Sequence, residues 1–172
     1  MSRDIWVISD THLGHENMLK FKNRNTDKLV RGDQFDNVDQ MDDYMLEKWN
    51  SVVKQGDIVY HLGDVYFGSQ QSADRTLSRL NGRKRLVLGN HDKGKDTVLL
   101  KHFQKISLWR IFKEFNLILS HVPLHPDSFR AVEYNAHGHI HQKTSPSKFH
   151  KNVCVEKTSY TPINIEDIIK NQ

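Results

Sequence analysis

Apolar positions along this chain fall into short runs broken by polar and glycine-containing segments. Ile5–Ser9 is apolar and β-branched, which predicts a buried strand. Residues 23–36 are polar and charged and read as a long loop. Asn37 then offers an N-cap, with Gln40 three residues on as in a capping box. Val38, Met41, Met45, Trp49, Val52 and Val53 follow at helical spacing, predicting an amphipathic helix over Val38–Val53 whose apolar face belongs to the core. Ile58–His61 predicts a second strand, Ser72–Leu80 a second helix closed by the Asn81-Gly82 turn, and Arg85–Leu88 a third strand. Trp109–Ser120 reads as two strands joined near Glu114, the second being Leu117–Ser120. Val153–Val155 predicts another strand and Ile165–Ile169 a closing helix. Strands alternate with helices early and dominate later, the pattern of an α/β protein whose sheet layers are flanked by helices.

Composition narrows the class. The 172 residues carry no repeat, low-complexity tract or linker, so one domain over 1–172 is expected. With 37% hydrophobic and 27% charged residues, the chain reads as a soluble globular protein rather than a disordered tail. Its longest apolar runs, such as 116–120, are strand-sized, far short of the roughly 20 residues a bilayer needs, so no membrane partner is expected. A lone cysteine, Cys154, excludes an intramolecular disulfide and a thiolate zinc cage, and is expected buried and inert in its strand. No signal-peptide architecture precedes the run at Ile5, so a cytoplasmic protein is expected.

Charge adds little. The net charge is +4, and the basic clusters Lys20/Lys22/Arg24 and Arg83/Lys84/Arg85 read as solvated surface. They permit a phosphate-bearing partner without requiring one. The 11 histidines say more, because several stand beside Asp, Asn and Gly directly after predicted strands.

Asp10-Thr11-His12 follows the first strand, and side chains at i and i+2 of an extended segment point the same way and can grip one ion. Gly63-Asp64 follows the second strand, Gly89-Asn90-His91-Asp92 the third, and His121 the run Leu117–Ser120. Gly138-His139-Ile140-His141 supplies two more imidazoles. Strand ends of an α/β sheet converge on one edge, where ligand sites lie. Any one of these elements is ordinarily a turn or a capped helix end; five in order are not. Pooled, they exceed what one tetrahedral ion takes and suit two, a centre that clamps attacking and leaving oxygens at phosphorus. Among the remaining histidines, His102 and His150 read as surface, and His61 and His137 as structural or supporting.

The ordered set D-x-H, G-D, G-N-H-D, H and G-H-x-H resembles the signature of the calcineurin-like metallophosphoesterase superfamily, and it spans residues 10 to 141. The resemblance implies a four-layer α/β/β/α sandwich, two mixed sheets flanked by helices, with two divalent metal ions at one end. It implies Asp10, His12 and His141 on the first ion, Asn90, His121 and His139 on the second, and Asp64 bridging. His91 would be the general acid, oriented by Asp92, and the nucleophile a metal-bridging hydroxide. A ligand set of imidazole, carboxylate and amide suits Mn²⁺, the favoured ion, as well as Fe, Zn²⁺, Ni²⁺ or Co²⁺.

Departures from the pattern narrow the substrate. The Ser/Thr phosphoprotein phosphatase branch carries Asp-Arg-Gly shortly after Gly-Asp, and an Arg before Gly-Asn-His. Here Val65-Tyr66-Phe67-Gly68 follows Asp64, and Leu88 precedes Gly89. The chain looks more like the small bacterial and phage phosphoesterases whose first motif runs Asp-Thr-His-x-Gly-His, here Asp10 to His15. The expected substrate is a phosphodiester or phosphomonoester, with a small nucleotide favoured. His15, Asn17 and Arg24 are candidate substrate contacts, with Lys93 and Lys95 after the third motif. The alternatives are a nuclease on RNA or DNA, and a metal-dependent module that binds a phosphorylated ligand without turnover. No aromatic-interleaved basic groove supports the first, and the intact His91 opposes the second.

Overall fold

The computed structural model describes residues 3–23 and 26–170. In chain order its elements are β1 (Ile5–Ile8), α1 (Val38–Val52), β2 (Ile58–His61), α2 (Gln70–Arg79), β3 (Arg83–Val87), α3 (Thr97–His102), β4 (Ile106–Ser107), β5 (Trp109–Phe112), β6 (Leu117–Ser120), β7 (Tyr134–His137), β8 (His150–Asn152), β9 (Ile163–Asn164) and α4 (Asp167–Lys170). The first sheet has the order β4-β3-β2-β1-β9 and is parallel except for β9. The second has the order β5-β6-β7-β8, antiparallel only between β5 and β6.

Period-2 alternation assigns the faces. Ile8, Val59 and Leu86 point one way and bury against Met41, Met45 and Trp49 of α1 and Leu77 of α2. Val7, Tyr60 and Val87 point the other way, onto Leu117, Leu119 and Ala136 of the second sheet, so one core lies between the sheets. The outer face of the second sheet carries a thinner cover, Ile118 with Phe129 and Val132 beside the 3-10 turn Pro126–Ser128. The result is two mixed sheets flanked by helices, as expected. Among the described residues no helix is long and apolar enough to cross a membrane.

The helix starts follow local chemistry. The Asn37 side chain accepts from Gln40 N at 2.9 Å, while Gln40 Oε1 accepts from Asp36 N at 2.7 Å. Ser69 caps α2, which begins at Gln70, two residues before the predicted start. The short α3 was not anticipated; Asp96 caps it through Val98 N and Leu99 N.

Four expectations need correction. The strand predicted at Val153–Val155 lies three residues earlier, as β8. Beyond Asn152 the chain leaves the second sheet, and Cys154 forms an isolated bridge to Ser9. His150 is not on the surface: it is buried, its ring between Ser147 Oγ and the Leu124 carbonyl. His102 is half-buried against Asp74 at 2.5 Å. The Arg83/Lys84/Arg85 cluster is not simply solvated either, because β3 is a central strand. Lys84 is buried and donates to the Leu80 carbonyl at 2.7 Å, and Arg85 donates to Tyr60 Oη at 2.6 Å.

Candidate metal centre

Each motif sits just past the C-terminal end of a strand: Asp10 after β1, Asp64 after β2, Asn90 after β3, His121 after β6, and His139 and His141 after β7. Backbone pairing continues beyond β1 and β2, with Asp10 N on Gly63 O (3.0 Å) and His12 N on Asp64 O (3.1 Å). The two sheets are tied at this end as well. Val155 N donates to Ser9 O at 3.1 Å, and His139 N donates to Asp10 Oδ2 at 2.8 Å.

Two clusters result, Asp10/His12/His141 and Asp64/His121/His139, each with its ligand atoms within 4.8 Å of one another. Asp64 Oδ2 stands 3.6 Å from both His12 Nε2 and His121 Nε2, so one carboxylate faces both clusters. Asn90 Oδ1 is 2.9 Å from His121 Nε2 and 2.9 Å from His139 Nδ1. Asp10 Oδ1 lies 3.8 Å from His12 Nε2 and from His141 Nε2, beyond hydrogen-bonding range.

The donor set fits cations. Among the described residues, Asp10 Oδ1 and both ring nitrogens of His12 are buried without a hydrogen-bond partner. An orphaned buried polar atom costs about 1–3 kcal/mol, and ion coordination removes that cost. Cys154 Sγ donates to Asp10 Oδ2 at 3.3 Å, and burial pushes its thiol far above the usual range.

The backbone is strained around these donors. Asp10 (φ 59°), His12 (48°), Asp64 (55°), His139 (69°) and His141 (50°) all lie in the left-handed region. Non-glycine residues there cost on the order of 1–3 kcal/mol each and cluster at functional sites. The motif glycines answer to space. A Cβ on Gly138 would lie 2.2 Å from Asp10 Oδ2, and one on Gly89 would lie 2.2 Å from Asp64 Oδ1.

Outer groups orient the rings. His121 Nδ1 donates to the Leu62 carbonyl at 2.7 Å, leaving Nε2 free to face Asn90 and Asp64. His141 Nδ1 is 2.9 Å from Glu156 Oε1, which also accepts from Arg31 Nε at 2.8 Å. Arg31 is almost fully buried and donates to the carbonyls of Asp10 (2.6 Å) and Thr11 (2.9 Å), so it pins the first motif to Glu156. Neither Arg31 nor Glu156 was singled out from sequence, since their pairing spans 125 positions and follows no local motif. Below the clusters, His61 and His137 are buried supports, bonded to Thr11 Oγ1 and to the Gly138 carbonyl.

Burial opposes ionisation of Asp10, but the surrounding His12, His141 and His121 and the Ser9 hydroxyl hold its carboxyl well below the usual range. Burial likewise opposes charge on Glu156 and His141. Arg31 and His141 nevertheless lower Glu156, and Glu156 with Asp10 raises His141. The pair is thereby biased toward the charged state.

His91 is exposed at the rim, its backbone N–H on Asp64 Oδ1 at 3.0 Å and its ring centroid 5.9 Å from that of His12. Asp92 directs its carboxylate to peptide N–H groups instead: Asp64 and Gly89 at 2.8 Å and Val65 at 3.0 Å. It therefore locks the Asp64 loop to the Asn90 loop. Burial raises its carboxyl, against the pull of those three donors.

The proposed substrate contacts divide. His15 stacks on Phe67, ring centroids 4.2 Å apart, and burial with nearby His12 and Arg31 pushes it down to about 4. Asn17 is exposed on a 3-10 turn (Glu16–Leu19), its carbonyl accepting from Lys20 N. Arg24 lies outside the described residues. Lys93 and Lys95 are exposed beyond His91.

Comparison with known proteins agrees with this geometry. A family model described as calcineurin-like phosphoesterase matches residues 3–163. An uncharacterized protein of Methanocaldococcus jannaschii, MJ1445, is 32% identical over 98% of this chain and 90% of its own length. The Gene 66 protein of Mycobacterium phage L5 is 31% identical over 72% of this chain, which spans 56% of that protein. A crystal structure of a protein of unknown function, AQ665 from Aquifex aeolicus, superposes with a TM-score of 0.75 at 27% identity, covering 98% of this chain and 99% of that one.

Proposed function

From the premise that this chain belongs to the calcineurin-like phosphoesterase family, we propose that it is a two-metal phosphoesterase acting on a small nucleotide-like phosphodiester or phosphomonoester. The observation that carries this reading is the convergence of two donor clusters on one carboxylate, with Asp10 Oδ1 and the His12 nitrogens buried and unpartnered. Asp10, His12, His141 and Asp64 would hold one divalent ion; Asp64, Asn90, His121 and His139 the other. Bound there, two such ions supply Lewis-acid charge to phosphoryl oxygens and lower the pKa of water toward 7. Mn²⁺ is the proposed ion, because carboxylate and amide oxygens, with Asp64 counted toward both ions, supply half of the donors.

The chain's own residues do the rest. Asp64 faces both clusters, Asn90 turns its Oδ1 to the second, and Asp92 keeps their loops in register. His91, at the open rim, donates a ring proton to the departing alkoxide, a contribution of about 10²–10⁴-fold. One domain over residues 1–172 carries the activity, in the cytoplasm; the lone, buried thiol supports a reducing compartment.

The test uses metal-stripped protein reloaded with Mn²⁺, Zn²⁺, Ni²⁺ or Mg²⁺ and assayed on a nitrophenyl monoester, a bis-nitrophenyl diester and 2′,3′-cyclic nucleotides. Turnover that depends on metal is expected, and its monoester-to-diester ratio selects the substrate class. His91→Ala should lose more on an alkyl ester than on a nitrophenyl ester, whose leaving group needs no proton. Equal losses would remove His91 as the acid, and bound metal without turnover would favour a phospho-ligand binding module.

A further inference from the structure

The cleft in front of the metal-site histidines holds about 420 Å³, and one of its walls is built for something other than phosphate. That wall carries Phe21, Phe67, His15 and Ile140, while His91 and His139 line the same cavity from the phosphate side. Phe21 and Phe67 are 48% and 47% exposed, although both are large apolar rings. Neither belongs to the chain's apolar cores. Half-exposed phenyl rings at the mouth of a polar site leave about half of their apolar area in water, and such patches mark ligand contact.

The rings are already ordered. Phe67 lies parallel to His15, 14° between planes, and edge-on to His91 at 4.9 Å. Phe21 stands perpendicular to His15 at 5.9 Å. Backbone bonds fix both supports: Phe67 N donates to Leu13 O at 2.9 Å, and Val30 N to Phe21 O at 2.8 Å. A ligand ring meeting this wall finds flat faces and edges that do not have to be organised on binding. Gln142 and Lys143 add hydrogen-bond donors to the same cleft.

We propose that this wall is a subsite for a planar aromatic group carried by the phosphate ester, a nucleobase or an aryl ring, seated against Phe67 and Phe21. The proposal rests on the phosphoesterase reading, which fixes where the phosphate sits. Stacking of a base on an aromatic side chain is sequence-tolerant, so the wall selects aromatic over aliphatic esters rather than one base over another.

The test is calorimetric binding to the Mn²⁺-loaded protein of three probes that cannot be hydrolysed: methylphosphonate, phenylphosphonate and the 5′-phosphonate analogue of adenosine monophosphate. The aromatic probes should bind about 10-fold tighter or better than methylphosphonate. Phe67→Ala and Phe21→Ala should erase that preference and leave methylphosphonate binding unchanged. Phe67→Leu keeps apolar bulk without a ring and should lose most of it, with an unchanged melting curve as the check on folding. Tight binding of the adenosine analogue alone would name the nucleobase as occupant, and of phenylphosphonate alone a smaller aryl group. Equal binding of methyl and aromatic probes, or a preference that survives all three variants, overturns the proposal alone. Failure of all three probes to bind, methylphosphonate included, would bring down the phosphoesterase reading together with it.

Discussion

The inter-sheet core and the metal-site cradle are made by the same strands a few residues apart, yet they are built on opposite terms. In β1 the core residue Val7 is followed three positions later by Asp10, and in β6 Leu119 is followed two positions later by His121; all four are buried. The core side consists of aliphatic and aromatic groups in regular strand conformation. The cradle side gathers unpartnered polar atoms and five left-handed non-glycine residues in a space that three motif glycines keep open. Its strain sums to several kcal/mol, a sizeable share of the 5–15 kcal/mol net stability of an ordinary domain. The core supplies the rigidity that lets the cradle hold its donors apart. Stability and function are thus segregated along each strand, and substitutions on either side should separate them.

The largest effect is expected at Asp64. Asp64→Asn keeps the shape but removes the charge that faces both clusters, and turnover should fall about 10³-fold or more, since the ions' contribution amounts to several kcal/mol. The metal-free melting temperature should hold or rise, because a buried charge is gone while the shape stays. A variant that unfolds instead would show that the cradle is structural.

The opposite behaviour is expected in the core. Leu119 is fully buried between the sheets, and Leu119→Ala should cost about 2–5 kcal/mol, read from the urea midpoint. Turnover per folded molecule should remain near wild type. A large loss of kcat at temperatures where the variant stays folded would mean that the two regions are not separable.

Glu156 sits between the regions and sharpens the contrast. It bonds the His141 ring on one side and buried Arg31 on the other. Glu156→Gln should weaken Mn²⁺ binding by about 10–100-fold, as loss of a partner behind a metal-ligating histidine generally does. Equilibrium dialysis reads this directly, and unchanged affinity would reduce the Arg31–Glu156 pair to packing.

This pair also marks where reading the sequence stops. The residues at the strand ends were legible because each motif is local and follows an apolar run. The elements α1, α2, β1, β2 and β6 were legible for the same reason. The strand β7 was not, since Tyr134–His137 reads as polar. Asn135 is buried there only because its amide is satisfied by Ile118 O and Ser120 Oγ and its carbonyl by Leu124 N. Three-residue β8, His150–Asn152, has no apolar signal at all. Arg31 in a polar loop and Glu156, four residues past β8, acquire meaning only when the fold brings them together. Phe21 and Phe67 looked like ordinary apolar residues until their exposure at the cleft was visible.

The smallest effect is expected at Asp42, a polar group of the cradle kind placed on a core helix. It lies on α1, accepts from Gly14 N at 2.8 Å through Oδ2, and leaves Oδ1 buried without a partner among the described residues. Burial, with Asp39 and Asp43 adding to it and Gly14 and Arg31 opposing it, raises its carboxyl to about 7 from an ordinary 3.8. The folded chain therefore keeps this proton between pH 4 and pH 7, where the unfolded chain has released it. Stability from Asp42 is full below the unfolded value and declines as pH rises toward the folded one. Between pH 5.5 and pH 7 the decline amounts to about 1–2 kcal/mol. Asp42→Asn keeps an acceptor for Gly14 and cannot ionise, so its stability relative to wild type should grow by that amount over the interval. The measurement is urea unfolding of the chelated protein at the two pH values. Taking the difference between variant and wild type cancels the buried histidines His61 and His137, whose lowered values act with the opposite sign over the same interval. A difference that stays flat with pH would mean that Asp42 is ionised in the folded protein, held by Gly14 and the Arg31 charge. The Gly14 turn behind the first motif would then be anchored by a carboxylate rather than by a neutral acid.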